Sequence, residues 1–104
     1  MIQRLPRIDG FDWDAGNVSK CEEHGLTLLM IERLFDRVLL VAPDPFAHEI
    51  RHRAVGFTES GRPVFVVFTM RERDGRMLLR PISARFMHKR EFDAVKEAIP
   101  EIRD

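Results

Sequence analysis

Apolar residues are spaced along the chain in short runs that predict small elements. Phe11 and Trp13 alternate with acidic residues, which predicts an extended segment or short strand with both rings on one side. A short helix is predicted over residues 17–23. His24 and then Gly25 follow it, and Gly25 is suited to end a helix in the left-handed conformation.

A second helix is predicted from Thr27, a suitable N-cap, to about Phe35. Its apolar face consists of Leu28, Ile31 and Phe35, at spacings of three and four residues. Residues 39–41 then predict a short strand. A polar loop follows from residue 44 to 52, because the prolines around its start interrupt regular hydrogen bonding.

Three antiparallel strands are predicted after this loop, over about residues 53–58, 64–71 and 77–84. The middle strand is apolar almost throughout, which is typical of a central strand buried on both faces. Asp74-Gly75 is a strong signal for a tight hairpin between the last two strands.

A final helix is predicted over residues 88–99, because Phe92, Val95 and Ile99 mark one face. The order of elements predicts an α+β fold, in which an antiparallel sheet packs against two N-terminal helices and one C-terminal helix. The 104 residues, 44% of them hydrophobic, are expected to form one domain over residues 1–104.

The cysteine count and the absence of long apolar runs bear on the cellular compartment. The single cysteine, Cys21, excludes an internal disulfide and favours a reducing cytosol. The first residues lack the apolar run of a signal peptide, and no stretch approaches the length of a membrane span. A cytoplasmic protein without membrane contact is expected.

Charge is unevenly distributed along a chain whose formal net charge is zero. Residues 1–50 carry five basic and nine acidic side chains, whereas residues 51–104 carry twelve basic and eight acidic ones. Most of the cations in residues 51–90 are arginines, which bind phosphate bidentately. This basic half is compatible with a polyanionic partner, but charge alone fits a solvated sheet face slightly better.

Few patterns in the chain indicate metal or nucleophile chemistry. One cysteine and four dispersed histidines do not make a zinc site, and His48 and His52 lie in the proline-bounded loop. Cys21 fits packing better than nucleophilic attack. The chain has no glycine-rich phosphate loop. No metal and no cofactor are expected.

The remaining candidates suit RNA cleavage by internal transesterification, which needs a base, an acid and positive charge on the phosphate but no metal. Arginines can supply the charge, and histidine or glutamate can move the protons. The candidates are Arg51, Arg53, Arg71, Arg80 and Arg85 for the charge, and His24, Glu49, His52 and His88 for the protons.

Strand register decides which of these arginines share a face. A two-residue turn places Thr69 opposite Arg80, so that both share a face with Arg71. A three-residue loop places Phe65 opposite Arg85, so that Arg71 and Arg85 share a face instead. The sequence leaves both registers open. Arg85 could also pair with an acid such as Asp14.

Five blocks of the chain, in order over roughly residues 11–92, resemble the BrnT (DUF497) family of toxins. They are Trp13-Asp14 with Asn17, Lys20-Cys21 and His24-Gly25; Ile31-Glu32 with Phe35; Asp44-Pro45 with Glu49, Arg51 and Ala54-Val55-Gly56; Gly61 to Thr69 with Arg71; and Arg80 to Arg85 with Met87-His88 and Glu91.

This resemblance implies a RelE-like ribonuclease fold and a type II toxin that cleaves RNA and arrests growth. It also implies a BrnA-type antitoxin that binds the toxin and carries the DNA-binding domain, so that DNA is contacted only indirectly. By position it implies functional roles for Arg51, Thr69, Arg71 and Arg85, with Lys20, His24 and Glu49 as helpers. The chain has no tyrosine, which excludes a tyrosine base.

From the residues and the resemblance together, we predict two sets of site residues. The catalytic set is Arg51, Arg71, Arg85, Glu49 and His24, and the RNA-binding set is Lys20, Thr69, Arg80, Arg53 and His88. The alternative is a non-catalytic binding module whose basic sheet face docks an acidic partner or RNA. Lysine could replace the arginines in such a module, because point charge would suffice.

Overall fold

The computed structural model describes residues 7–37, 40–43 and 50–98. Within these ranges the chain forms an α+β fold, as predicted. Its elements in chain order are β1 (Gly10–Phe11), α1 (Ala15–Glu22), α2 (Leu28–Leu34), β2 (Leu40–Pro43), β3 (His52–Phe57), β4 (Pro63–Arg73), β5 (Arg76–Phe86) and α3 (Lys89–Ala98).

The five strands form one sheet in the order β1-β5-β4-β3-β2. The strands β2 to β5 pair antiparallel to one another, but β1 pairs in parallel with β5, with Gly10 opposite Leu78. The predicted antiparallel sheet is therefore present, with one short parallel strand added at its edge. The parallel pair joins segments almost seventy residues apart, and nothing in the local pattern of either segment indicates it.

Local capping explains where the two N-terminal helices begin and end. Asp14 caps α1 by accepting hydrogen bonds from the amides of Gly16 and Asn17, so the helix begins two residues before the predicted start. Gly25 adopts a φ of +93°, as expected of the residue that ends this segment. The Thr27 hydroxyl accepts a hydrogen bond from the Met30 amide at 3.1 Å, which confirms the predicted cap of α2.

The core lies between α1, α2 and one face of the sheet. Val64, Val66 and Phe68 of β4 are at most 1% exposed and face Cys21 and Ile31 of the helices within one cluster. Phe65 and Val67, on the other face, are only partly buried. The prediction that β4 is buried on both faces was wrong, because the core helices cover one face only.

The β4–β5 hairpin contains the two-residue turn that the sequence suggested. Asp74 and Gly75 take positive φ values of 53° and 77°, which a two-residue turn of this kind requires. Arg73 therefore lies opposite Arg76. Further along the hairpin Thr69 lies opposite Arg80, on the face that also carries Arg71.

A β-bulge changes the register in the second half of this hairpin. The pairing shifts between Val67 and Phe68, and Ile82 has no partner on β4. Beyond the bulge Phe65 lies opposite Arg85. The two registers that the sequence left open therefore both occur, one on each side of the bulge. Arg85 shares a sheet face with Thr69 and Arg71 as a result.

Helix α3 packs on the sheet face opposite the core. The Phe92 ring meets the Phe57 ring edge-on at 5.2 Å between centroids, and Glu91 contacts Arg85. Phe57 and Arg85 belong to the rows that face away from the buried side chains of β3 and β4. Helix α3 therefore covers one end of this second face and leaves its other end open.

No helix within the described residues is both long enough and apolar enough to cross a membrane.

Candidate nucleic-acid interface

A groove of about 340 Å³ opens where α1 meets the β4–β5 hairpin. Four cations line it, and no acidic residue is among the described residues of its wall. The lining residues are Gly16, Asn17, Lys20, Arg51, Thr69, Arg71, Arg80 and Ile82. The structure thus brings five of the ten predicted site residues into one concave, positively charged surface.

Neighbouring elements each supply part of this wall. Lys20 comes from the last turn of α1, and Thr69 and Arg71 come from β4. Arg51 directly precedes β3 and is half-buried. The Thr69 hydroxyl donates a hydrogen bond to the backbone carbonyl of Ile50 at 2.9 Å, which joins β4 to the segment that carries Arg51.

Arg80 is held in the groove by an ion pair. Its guanidinium donates two hydrogen bonds to the Asp14 carboxylate, at 2.9 and 3.1 Å. This pairing lowers the pKa of Asp14 and raises that of Arg80. Arg80 is the partner of Asp14, so the acid that pairs with Arg85 is not Asp14, which the sequence suggested as an example.

Arg85 instead forms a bidentate pair with Glu91 of α3, at 2.8 Å for both contacts. Its guanidinium carbon also lies 5.0 Å from the centroid of the Phe65 ring. Glu91 accepts a further hydrogen bond from the backbone amide of His88 at 3.0 Å, which caps the start of α3. The pair with Arg85 and this backbone bond lower the pKa of Glu91 to about 2.

Arg71 and Arg85 share a face but lie far apart along it. Arg71 lies six positions along β4 from Phe65, the residue opposite Arg85. At about 3.3 Å per residue, this spacing is roughly 20 Å. The two arginines therefore cannot hold one phosphate together.

The other predicted residues lie outside the groove wall or outside the described residues. Arg53 is half-buried on β3 opposite Val67, between the groove and Arg85. His24 is exposed after α1, and His88 is exposed at the start of α3; neither lines the groove. Glu49 lies outside the described residues.

Sequence reasoning missed three residues that build this interface. The Asn17 amide donates to the carbonyls of Asp12 and Pro81, at 2.9 and 2.8 Å, and so fastens α1 to β5. Asp12 is buried beside Arg80, and Glu91 holds Arg85. The spacing of Asp14 and Asn17 is a capping-box pattern that could have indicated the helix start, but no local pattern identifies the distant partners.

Metal-binding and nucleophilic groups are sparse in the part of the chain that the structure describes. No group of three or more His, Cys, Asp or Glu side chains there could hold a metal ion. Cys21 is fully buried, and this burial raises the pKa of its thiol to about 11. Such a thiol is unsuited to act as a nucleophile near neutral pH.

A family model supports the interpretation of this basic interface. Residues 13–91 match the model described as the ribonuclease toxin, BrnT, of type II toxin-antitoxin systems. The chain belongs to the BrnT family. The match covers α1 to the first turn of α3 and therefore includes the groove and Arg85. No curated protein matches the chain.

Membership of the BrnT family has consequences for activity and partners. The family description is that of a ribonuclease, so RNA is the target at the family level. A toxin of a type II system is paired with a protein antitoxin. The charged residues that the structure describes in the groove wall are all cations, which agrees with an RNA target.

Proposed function

We propose that this BrnT-family chain is an endoribonuclease toxin that binds RNA in the groove and cleaves it without a metal. The observation that carries the proposal is the convergence of Lys20, Arg51 and Arg71 on one concave wall. Cations of this kind stabilise the extra negative charge that a phosphate gains in the transition state of transesterification.

The proposed chemistry is attack by a ribose 2′-oxygen on the adjacent phosphorus, with departure of the 5′-oxygen of the next nucleotide. A base takes the 2′-hydroxyl proton and an acid gives a proton to the leaving oxygen. Arg51 and Arg71 would stabilise the pentacovalent phosphate. Thr69 would accept a hydrogen bond from the RNA, because its own proton is directed to Ile50.

Glu49 is the preferred candidate for the base. It precedes Arg51 by two residues in the sequence, whereas His24 is exposed and does not line the groove. His24 and His88 remain candidates for proton transfer only if RNA extends beyond the groove. Arg85 and Arg53 would then contact the same strand further along the sheet face.

We further propose that cleavage arrests growth and that a BrnA-type antitoxin neutralises the chain and carries the contacts to DNA. We also propose that this activity is cytoplasmic, because cellular RNA would be its substrate. Expression of the chain alone and together with a candidate BrnA-type antitoxin tests this part. Growth that stops only without the antitoxin is expected, and unaffected growth in both cultures would contradict it.

The direct test of the enzyme is cleavage of total RNA by the purified chain, free of antitoxin, in EDTA. Arg71→Ala and Arg85→Ala are expected to reduce cleavage by at least tenfold, whereas Arg90→Ala, an exposed arginine of α3, should retain it. Glu91→Gln is measured in the same series. This variant keeps Arg85 but removes its ion pair, so it shows whether cleavage depends on Arg85 itself or on the pair. Cleavage that needs a metal, or equal cleavage by all variants, would contradict the proposal.

A binding module is the second candidate function. The observation that favours it is that no His, Asp or Glu is among the described residues that line the groove. The module would bind RNA or an acidic partner without cutting it, and Arg71→Lys and Arg85→Lys would preserve binding. The enzyme instead predicts loss of activity in Arg71→Lys, because the arginine that contacts the phosphate in the groove needs its bidentate geometry in the transition state.

A further inference from the structure

Arg80 and Arg71 line the same groove but differ sharply in their surroundings. The Arg80 side chain is 15% exposed, and both terminal nitrogens of its guanidinium are engaged by the Asp14 carboxylate. Arg71 is exposed, and no carboxylate of the described residues lies within ion-pair distance of it. These two arginines share one sheet face and one groove but differ in ion pairing, so their variants can be compared directly.

Asp14 is itself fixed in place. As the N-cap of α1, its carboxylate accepts hydrogen bonds from the amides of Gly16 and Asn17, at 2.9 and 3.3 Å. An arginine fork combined with the first amides of a helix is an arrangement that binds phosphate. In this chain the protein's own carboxylate occupies that position.

Asp12 provides a second negative charge against the same guanidinium. It is only 8% exposed, its Oδ2 atom accepts no hydrogen bond, and that atom lies 3.6 Å from Arg80 and 3.9 Å from Arg73. A buried carboxylate is costly unless a cation stays beside it. Movement of Arg80 toward a phosphate would leave Asp14 without its partner and Asp12 without its nearest cation.

We propose that Arg80 is a positioning residue rather than a phosphate ligand. Asp14 and Asp12 hold Arg80 in ion pairs that join the start of α1 to β5, and we call this connection the tie. Lys20 and Arg71 make the phosphate contacts in the groove. This inference rests on the proposed binding of RNA there. The tie acts on binding indirectly, because it fixes α1, and with it Lys20, against the strand pair that carries Arg71.

The salt dependence of RNA binding distinguishes a phosphate ligand from a positioning residue. For single strands, log K decreases with log salt, and the magnitude of this slope becomes smaller by about 0.7 for each phosphate that the protein no longer neutralises. With a fluorescent oligouridylate of about twelve nucleotides, Arg71→Gln and Lys20→Gln are expected to lower this slope by about that amount. Arg80→Gln is expected to weaken binding while the slope stays at the wild-type value. An equal decrease of the slope in Arg80→Gln would overturn the proposal.

A readout on the wild-type chain covers the case in which Arg80→Gln does not fold. Guanidinium NMR signals can be followed while the oligouridylate is added. The Arg71 signal, assigned from Arg71→Gln, is expected to shift, and the Arg80 signal is expected to keep its position and its slow exchange with water. A shift of the Arg80 signal as large as that of Arg71 would overturn the proposal.

A double-mutant cycle tests the tie without RNA. Asp14→Asn keeps a good N-cap acceptor but removes the charge, so its effect reports the pair rather than the cap. The variant Asp14→Asn/Arg80→Gln is expected to unfold at nearly the same urea concentration as Arg80→Gln alone. Additive effects would overturn the tie. If wild-type protein binds no oligouridylate, the proposed function fails together with the roles of Lys20 and Arg71, and the cycle alone decides whether the tie exists.

Discussion

At the scale of single residues, Asn17 shows how one buried amide can determine the shape of a surface site. Its side chain closes the cap of α1 through Asp14 and also reaches two backbone carbonyls, one of them on β5. It is 3% exposed, so water cannot replace these bonds easily. The groove wall that includes Lys20 therefore depends on a residue that need not touch RNA.

We expect Asn17→Ala to lower the free energy of unfolding by about 2–4 kcal/mol, because buried carbonyls lose their donor. Urea unfolding followed by the fluorescence of Trp13 measures this change. Ser19→Ala, on the exposed side of the same helix, is the matched control and should stay within about 0.5 kcal/mol of wild type. Equal stability of the two variants would contradict the role of Asn17.

Cys21 carries a second prediction at the same scale. Burial raises the pKa of its thiol to about 11, so the reactive thiolate is scarce at neutral pH. We expect a thiol reagent to label the native protein very slowly at pH 7.5 and to label it fully in 6 M guanidinium. Rapid stoichiometric labelling of the native protein would show that Cys21 is accessible.

At the scale of elements, the attachment of α3 depends on Glu91. This carboxylate caps the helix through the His88 amide and holds Arg85 on β5, while Phe92 packs on Phe57 of β3. The capping bond joins residues three apart in sequence, and the ion pair joins residues six apart on two different elements. The sequence predicted the helix from its apolar spacing, but the face on which it packs follows only from these contacts.

The pKa of Glu91 makes this attachment depend on pH. The folded value of about 2 lies below the usual 4.5, so the ionised carboxylate stabilises the fold above about pH 4.5 and loses that effect as the pH falls toward 2. Urea midpoints at pH 7 and pH 3 should therefore differ less for Glu91→Gln than for wild type. Glu72→Gln, in an exposed part of β4, should follow the wild type. An unchanged pH dependence in Glu91→Gln would refute the assignment.

The β-bulge at Ile82 is the other decisive feature at this scale. A continuous two-residue hairpin would place Arg85 on the core face, and the skipped residue returns it to the face of Thr69 and Arg71. The sequence pattern allowed either register for the whole hairpin, but it did not indicate that one register occurs on each side of a bulge. The choice depends on packing of Val66 and Ala84 in the core, which no single strand specifies.

At the scale of the whole molecule, the second sheet face divides into a covered end and an open groove. Helix α3 lies over the end with Phe57 and Arg85, and the cationic groove occupies the other end. A net charge of zero is compatible with such a face. Acidic residues such as Asp14 and Glu91 pair with individual arginines instead of neutralising the groove as a whole.

The separation of about 20 Å between Arg71 and Arg85 predicts a dependence on RNA length. Arg71→Ala should weaken binding of both a dinucleotide and a strand of about twelve nucleotides. Arg85→Ala should weaken binding of the longer strand only, because the dinucleotide cannot span the distance. Fluorescence anisotropy measures both, with Arg90→Ala as control. Equal effects of Arg85→Ala on both ligands would place Arg85 in the groove and contradict the geometry.

The sequence by itself determined the features that depend on near neighbours. The cap at Thr27, the end at Gly25 and the turn at Asp74-Gly75 were predicted correctly, since each needs only a few adjacent residues. The α+β class also followed from local periodicity, and the resemblance to the BrnT family is confirmed by the match to its model. The closer likeness to RelE stays a prediction.

Only the tertiary structure decided which charges meet. Arg80 and Asp14 are 66 residues apart in sequence, and Gly10 and Leu78 pair across a similar separation. Such contacts depend on how the whole chain closes around its core, and many acids in the sequence would have served equally well as partners. For this reason composition indicated a basic surface, whereas the fold separated the exposed Arg71 from the paired Arg80 and Arg85.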